Sequence, residues 1–239
     1  MQPHQHILFF DIETVPLTDD YDMLSERMHI EWEKKAKFLQ RGDEEQEPGK
    51  LFEEKAGVFA EFAKVVCICF GSFQFQDGAW KMRMKALVND DENLLLREFA
   101  DVVNRFHAYN QQMAFCGHNI KEFDVPFLCR RMLINHIPIP DVMNLSGKKP
   151  WENPNIDTLE LWKFGDYKNY TSLALLAEIM GIPSPKSDID GSMVASVYYK
   201  DKDLPRIAKY CLQDVVTSAR VYLRLKGLSS EFETVTVED

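Results

Sequence analysis

The sequence lacks any apolar stretch approaching the 20 or so residues that cross a bilayer, so no membrane association is expected. Its first residues, MQPHQH, lack a basic segment followed by an apolar run. A secretory signal is therefore not expected, and a cytoplasmic location is. Positive charge is also short: 28 Lys and Arg stand against 38 Asp and Glu, for a formal net charge of −10. That argues against broad, non-specific nucleic-acid binding, which rests on a basic face. It leaves room for an enzyme that grips a few nucleotides. Cysteine is sparse and odd in number (Cys67, Cys69, Cys116, Cys129, Cys211), mostly in apolar contexts. These read as buried, reduced thiols rather than a disulfide framework. Cys67-x-Cys69 has a metal-motif look, but alternation along a strand accounts for it better. No internal repeat and no clear linker divides the 239 residues, so one domain over 1–239 is expected.

What is present is an ordinary apolar content of 45%, enough to build a real core. Residues 7–15 read as a buried first strand. Residues 19–63 differ: they are polar, rich in Glu and Lys, and contain the run GDEEQEPG at 42–49. Apolar spacing predicts helices over Tyr21–Leu39 and Leu51–Phe62, an inserted arm with a mobile loop near 41–50. Strands are expected at 64–73 and Trp80–Leu87, joined by a turn at 76–78. Helices follow at Glu92–Tyr109, capped by Asp90 or Asp91, and at Phe123–Asn135, with a short strand Met113–Cys116 between them. Pro138 and Pro140 end the second helix, and 141–155 reads as loop. A short strand at Asn155–Thr158 precedes helices at Leu173–Met180, Ser192–Tyr199 and Asp203–Leu225, and the acidic tail SSEFETVTVED reads as frayed. Strands first, then strands alternating with helices, imply an α/β fold with a mixed central sheet.

Three short segments concentrate acids where a core should be apolar. In FFDIETVP (9–16), Asp11 and Glu13 point to one side of a strand. Two anions aimed at one partly buried spot repel, so a cation should compensate them. In CGHNIKEFDVPFL (116–128), Asp124 sits at a helix start, favoured by the helix dipole, with Asn119 on the loop before it. In YCLQD (210–214), Tyr210 and Asp214 lie four residues apart and share a helix face. Each signal alone is ordinary, and the order of all three carries the argument.

That order resembles the DEDD superfamily of 3′–5′ exonucleases, with an RNase H-like fold, and specifically its tyrosine branch. The wording FDIET, NIKEFD and YCLQD is closest to the proofreading exonuclease domain of family B DNA polymerases. DIETVP and FAKVVCICFGSF look like the stand-alone predicted exonucleases related to that domain. The resemblance spans about 7–225, with 19–63 and 141–155 its least typical parts. The histidine branch would need His five positions before Asp214, where this chain has Lys209. The resemblance implies that Asp11, Glu13, Asp124 and Asp214 hold two divalent cations, Mg²⁺ or Mn²⁺. Asp11 would bridge both, Glu13 and Asp214 would complete the site of the water-activating ion, and Asp124 would hold the second through water. Oxygen donors suit these hard cations, and such a pair can generate the nucleophile and neutralise the leaving oxygen. Tyr210 would orient the attacking water, since a phenol with pKa near 10 is a poor base at neutral pH. His118, Asn119 and Phe123 would shape the pocket for the terminal nucleotide, with Phe123 packing under the site or stacking on a base.

The expected activity is hydrolysis at the 3′ end of single-stranded nucleic acid, DNA ahead of RNA. Lys121, Arg130, Arg131, Lys148, Lys149, Lys163 and Lys168 are candidates for phosphate contacts. Two other readings stay open: a hydrolase of short oligonucleotides, and a catalytically silent nucleic-acid-binding module.

Overall fold

A computed structural model describes residues 4–40, 46–166, 168, 170–183 and 188–237. The chain opens with strand β1 (Ile7–Pro16), followed by helices α1 (Glu26–Leu39) and α2 (Pro48–Lys55). Strands β2 (Ala63–Gln76) and β3 (Ala79–Val88) lead to α3 (Glu92–Tyr109), β4 (Ala114–Gly117) and α4 (Asp124–Ile134). Then come β5 (Ile156–Asp157), α5 (Thr158–Lys163), α6 (Leu173–Ile179), α7 (Val194–Ser196), α8 (Leu204–Leu225) and β6 (Glu233–Thr236).

The six strands form one mixed sheet in the order β5-β4-β1-β2-β3-β6. β1 pairs antiparallel with β2 and parallel with β4, and β4 pairs parallel with β5. Ile7 to Phe10 are all buried because β1 is covered on both faces, which is why it reads as a continuous apolar run. Leu8, Phe10 and Ile12 pack with α3 and α4 residues such as Phe99 and Leu128. Ile7, Phe9 and Val15 pack with α8 residues such as Ile207 and Val215. The β2–β3 turn places Asp77 at φ 54° and Gly78 at φ 80°, the paired left-handed residues of a two-residue hairpin whose twist matches its strands.

The arm between β1 and β2 has a core of its own, built on Trp32, Leu51, Phe52 and Phe62. Its second helix departs from the expectation at both ends. Proline is tolerated at a first helical turn, so α2 begins at Pro48, inside the expected loop. Helical structure stops at Val58 rather than Phe62. The rest of the expected mobile loop, at 41–45, lies outside the described residues.

Other departures have local causes. The Ser192–Tyr199 helix narrows to α7 and continues as a π-helical turn over Val197–Asp201. α5 was not anticipated; the Asp157 carboxylate caps it by accepting from Leu159 N. The tail is not frayed: β6 pairs parallel with β3, from Lys81↔Glu233 to Met84↔Thr236. Its TVTV alternation was masked by flanking acids, and Phe232 anchors it edge-on against Phe73, ring centroids 4.9 Å apart. Among the described residues no helix is long and apolar enough to cross a membrane.

Candidate active site

β1 carries Asp11 and Glu13 on the face that looks toward α8. Asp11 stands opposite Cys69 and Glu13 opposite Cys67 on β2. Immediately after Glu13 the register slips: Thr14 pairs with Val65, so β2 carries one extra residue, Val66. A bulge of this kind bends and twists a strand and re-aims its side chains. Here it sits at the end of the acid pair. Ligand atoms of Asp11, Glu13 and Cys211 lie within 4.8 Å of one another.

The second acid arrives from the other side of the sheet. β4 ends at Gly117, where a Cβ would fall 2.2 Å from Ile120 Cγ2 and 2.7 Å from the Phe10 carbonyl, so only glycine fits. Asn119 follows with φ 65°, in the left-handed region, and turns the chain into α4. Asp124 is the first residue of α4, 3% exposed, and its Oδ1 accepts from the Ile12 backbone N at 3.2 Å. That bond docks the helix start between the two β1 acids in sequence.

A residue the motifs did not reveal holds this loop. Asp157, at the end of β5, is 3% exposed and accepts backbone hydrogen bonds from Asn119 (2.9 Å), Lys121 (3.0 Å) and Leu159 (2.9 Å). Its signal was faint: an Asp before an apolar, helix-like stretch, readable only as a cap. His118 is tied as well. Its Nε2 donates to the Thr171 carbonyl and its Nδ1 meets the Thr158 hydroxyl, both at 2.9 Å. Both ring nitrogens are thereby engaged within the protein. Phe123 caps α4, is half-buried, and packs on Phe127 with centroids 5.3 Å apart. The Asn119 side chain has no hydrogen-bond partner among the described residues.

α8 supplies the third segment. Tyr210 and Asp214 share a face one turn apart, and the phenol lies close enough to favour the charged carboxylate. The electrostatics follow from burial without a counter-ion. Burial, then Cys211, Asp124, Glu13 and Asp214, push the Asp11 carboxyl well above the usual range. Burial, then Cys211, Asp214 and Asp124, do the same to Glu13. Burial raises Asp124 to about 7 against the hydrogen bonds it accepts, and Asp157 adds to the rise. Burial raises Asp214 to about 6, opposed by the Tyr210 phenol. Burial and the neighbouring Asp214, Glu13 and Asp11 hold the Tyr210 phenol protonated far above its ordinary value. The three motifs therefore converge electrostatically, four acids and a phenol acting on one another.

Directly beneath the acids lie three thiols. Cys67 and Cys69 point the same way, as strand alternation requires, with sulfurs 3.6 Å apart. Cys211 joins them, and its thiol donates to the Asp11 carbonyl at 3.4 Å. The sheet face under the site is thus lined with small, buried groups. One proposed phosphate contact is corrected. Arg131 is buried, donating to both carboxylate oxygens of Glu92 and to the Ala60 carbonyl. It cannot reach a substrate.

A mixed sheet of this strand order, with an acid pair midway along its central strand β1, is an RNase H-like exonuclease fold. Residues 58–239 match the family described as "Predicted 3'-5' exonuclease related to the exonuclease domain of PolB", and the chain belongs to that family. The matched span holds Asp124, Tyr210 and Asp214 and begins after Asp11 and Glu13. The first two acids join the set through the sheet that places them. None of the curated proteins compared matches the chain.

Proposed function

We propose that the protein is a metal-dependent 3′–5′ exonuclease that hydrolyses the terminal phosphodiester of single-stranded nucleic acid, DNA ahead of RNA. One observation carries the reading. Asp11, Glu13, Asp124 and Asp214 come from three distant segments to share a buried region in which no cationic side chain among the described residues acts on Asp11 or Glu13. Such an arrangement is costly unless cations fill it. The carboxylate oxygens fit Mg²⁺ or Mn²⁺, and the Cys211 sulfur, within 4.8 Å of the Asp11 and Glu13 oxygens, is engaged with the Asp11 carbonyl. Asp11, Glu13, Asp124 and Asp214 would hold the ions. When bound, the ions supply an activated water and neutralise charge on the leaving oxygen.

The chain's own groups do the rest. The Tyr210 phenol, protonated beside Asp214, orients the attacking water and does not take its proton. Asp124, anchored to the Ile12 amide, and Asp157, gripping the Asn119 and Lys121 amides, keep the loop rigid against β1. Asn119, whose side-chain amide has no partner among the described residues, and Phe123 border the terminal nucleotide. His118, with both nitrogens engaged, holds the loop to Thr158 and Thr171 and meets the substrate only through its ring.

The test is a ladder assay on 5′-labelled single-stranded DNA and RNA with Mg²⁺, Mn²⁺ or EDTA, beside Asp11→Ala. A metal-dependent 3′-shortening ladder, lost in Asp11→Ala, is expected. Near-normal turnover by that variant removes the site assignment, and a ladder in EDTA removes the metal.

A further inference from the structure

Along α4, leading away from Asp124, runs a groove of about 460 Å³. Lys121, Arg130, Lys148 and Lys149 line it, and no Asp or Glu does. In a chain of net charge −10, four cations with no acid among them is a local reversal of sign. Lys121 leans on Glu160, Nζ to Oε2 2.6 Å, whereas Arg130, Lys148 and Lys149 form no ion pair with a described residue. The floor is the helix stripe that includes Val125 and Leu133, eight residues or about 12 Å apart. At the rim, Trp151 is 77% exposed, and Lys149 Nζ lies 5.1 Å from its ring centroid. A large aromatic left in water beside a cation is a poor choice for solubility but a good platform for a base.

We propose that this groove carries the single strand leading back from the 3′ end held at Asp124. Phosphates rest on Arg130, Lys148 and Lys149, and a base stacks on Trp151. The proposal rests on the exonuclease reading of the acid cluster, because that reading places the strand's end at the start of α4. Charge complementarity selects the occupant: the lining attracts a polyanion, and the exposed indole favours one that carries flat bases. The segment 141–155, least typical of the family, then acts as the outer wall of a strand channel. It also explains how an acidic protein holds nucleic acid, by a short basic strip rather than a basic face.

The experiment measures binding in EDTA, where cleavage is stopped, by tryptophan fluorescence and by anisotropy of labelled strands. A long single strand and a dinucleotide are compared, as DNA and as RNA. The triple variant R130Q/K148Q/K149Q should weaken long-strand binding by about tenfold or more. It should also reduce the slope of log affinity against log salt by about 2, from 0.7 per lost contact. Trp151→Ala should weaken it roughly 5- to 100-fold. Lys34→Gln/Lys35→Gln, an equal kind of charge loss on α1, should do neither. Unchanged affinity and salt slope in the triple variant overturn the proposal. So does an equal loss in the α1 control, or an equal loss on the dinucleotide. A wild type that binds through the groove but cleaves nothing with Mg²⁺ or Mn²⁺ ends the exonuclease reading alone. A cleaving wild type with unaltered variants ends the groove alone.

Discussion

Two sets of buried charges lie on opposite faces of the same sheet, and they are built on opposite terms. On the α3 face, Glu92 accepts from Arg131 Nε at 2.8 Å, from Val65 N at 2.8 Å and from Asn135 Nδ2 at 2.9 Å. Its charge is matched by a guanidinium and its lone pairs are filled. On the α8 face, Asp11 and Glu13 face Asp214 and Cys211, and no cationic side chain among the described residues acts on them. A compensated charge is architecture; buried groups with strongly perturbed titration are where functional sites cluster. The Glu92–Arg131 set joins α3, β2, α4 and, through Ala60, the arm. It therefore fixes the helix that presents Asp124, so the quiet cluster serves the reactive one.

The contrast can be broken from either side. Arg131→Met should be the most damaging to folding, destabilising by about 3–5 kcal/mol because Glu92 is left buried and unpaired. Denaturant titration checks it, and a loss under ~1 kcal/mol would mean that Glu92 does not depend on its partner. Tyr210→Phe should leave folding intact and slow hydrolysis roughly 10- to 1000-fold, the scale of removing one positioned donor. Calorimetric metal titration should stay as in wild type; an unchanged rate would strip Tyr210 of its role.

The smallest effect is on pH. Asp124 at about 7 and Asp214 at about 6 lie above the ordinary carboxylate value, so the metal-free folded chain holds protons that the unfolded chain releases. That stability is complete below about pH 4 and is lost as pH rises through 6 to 7. In EDTA, wild-type Tm should fall across that window more steeply than that of Asp124→Asn/Asp214→Asn, and Mg²⁺ should reverse the fall above it. Parallel Tm profiles would show that burial does not raise these two carboxyls.

The same contrast explains what could be read from sequence. Asp11, Glu13, Tyr210 and Asp214 were legible because their spacing, two on a strand and four on a helix, puts each pair on one face. Asp124 was legible from the helix start it occupies. Asp157 was not, because its bonds run to backbone amides 36 and 38 residues away, which no local pattern encodes. Arg131 looked like any surface cation among its neighbours until Glu92 was folded against it. The tail was misread because acids flank its β-branched residues, and its strand exists only where β3 offers an open edge.

The slip after Glu13 divides the β1–β2 ladder into two stretches out of phase by one residue at Val66. Upstream, the rhythm aims the acids; downstream, it leads into the arm. Insertions or deletions in the arm enter beyond that break and do not propagate a rotation back to Asp11 and Glu13. The break in the ladder thus insulates the orientation of the acid pair from the length of the arm.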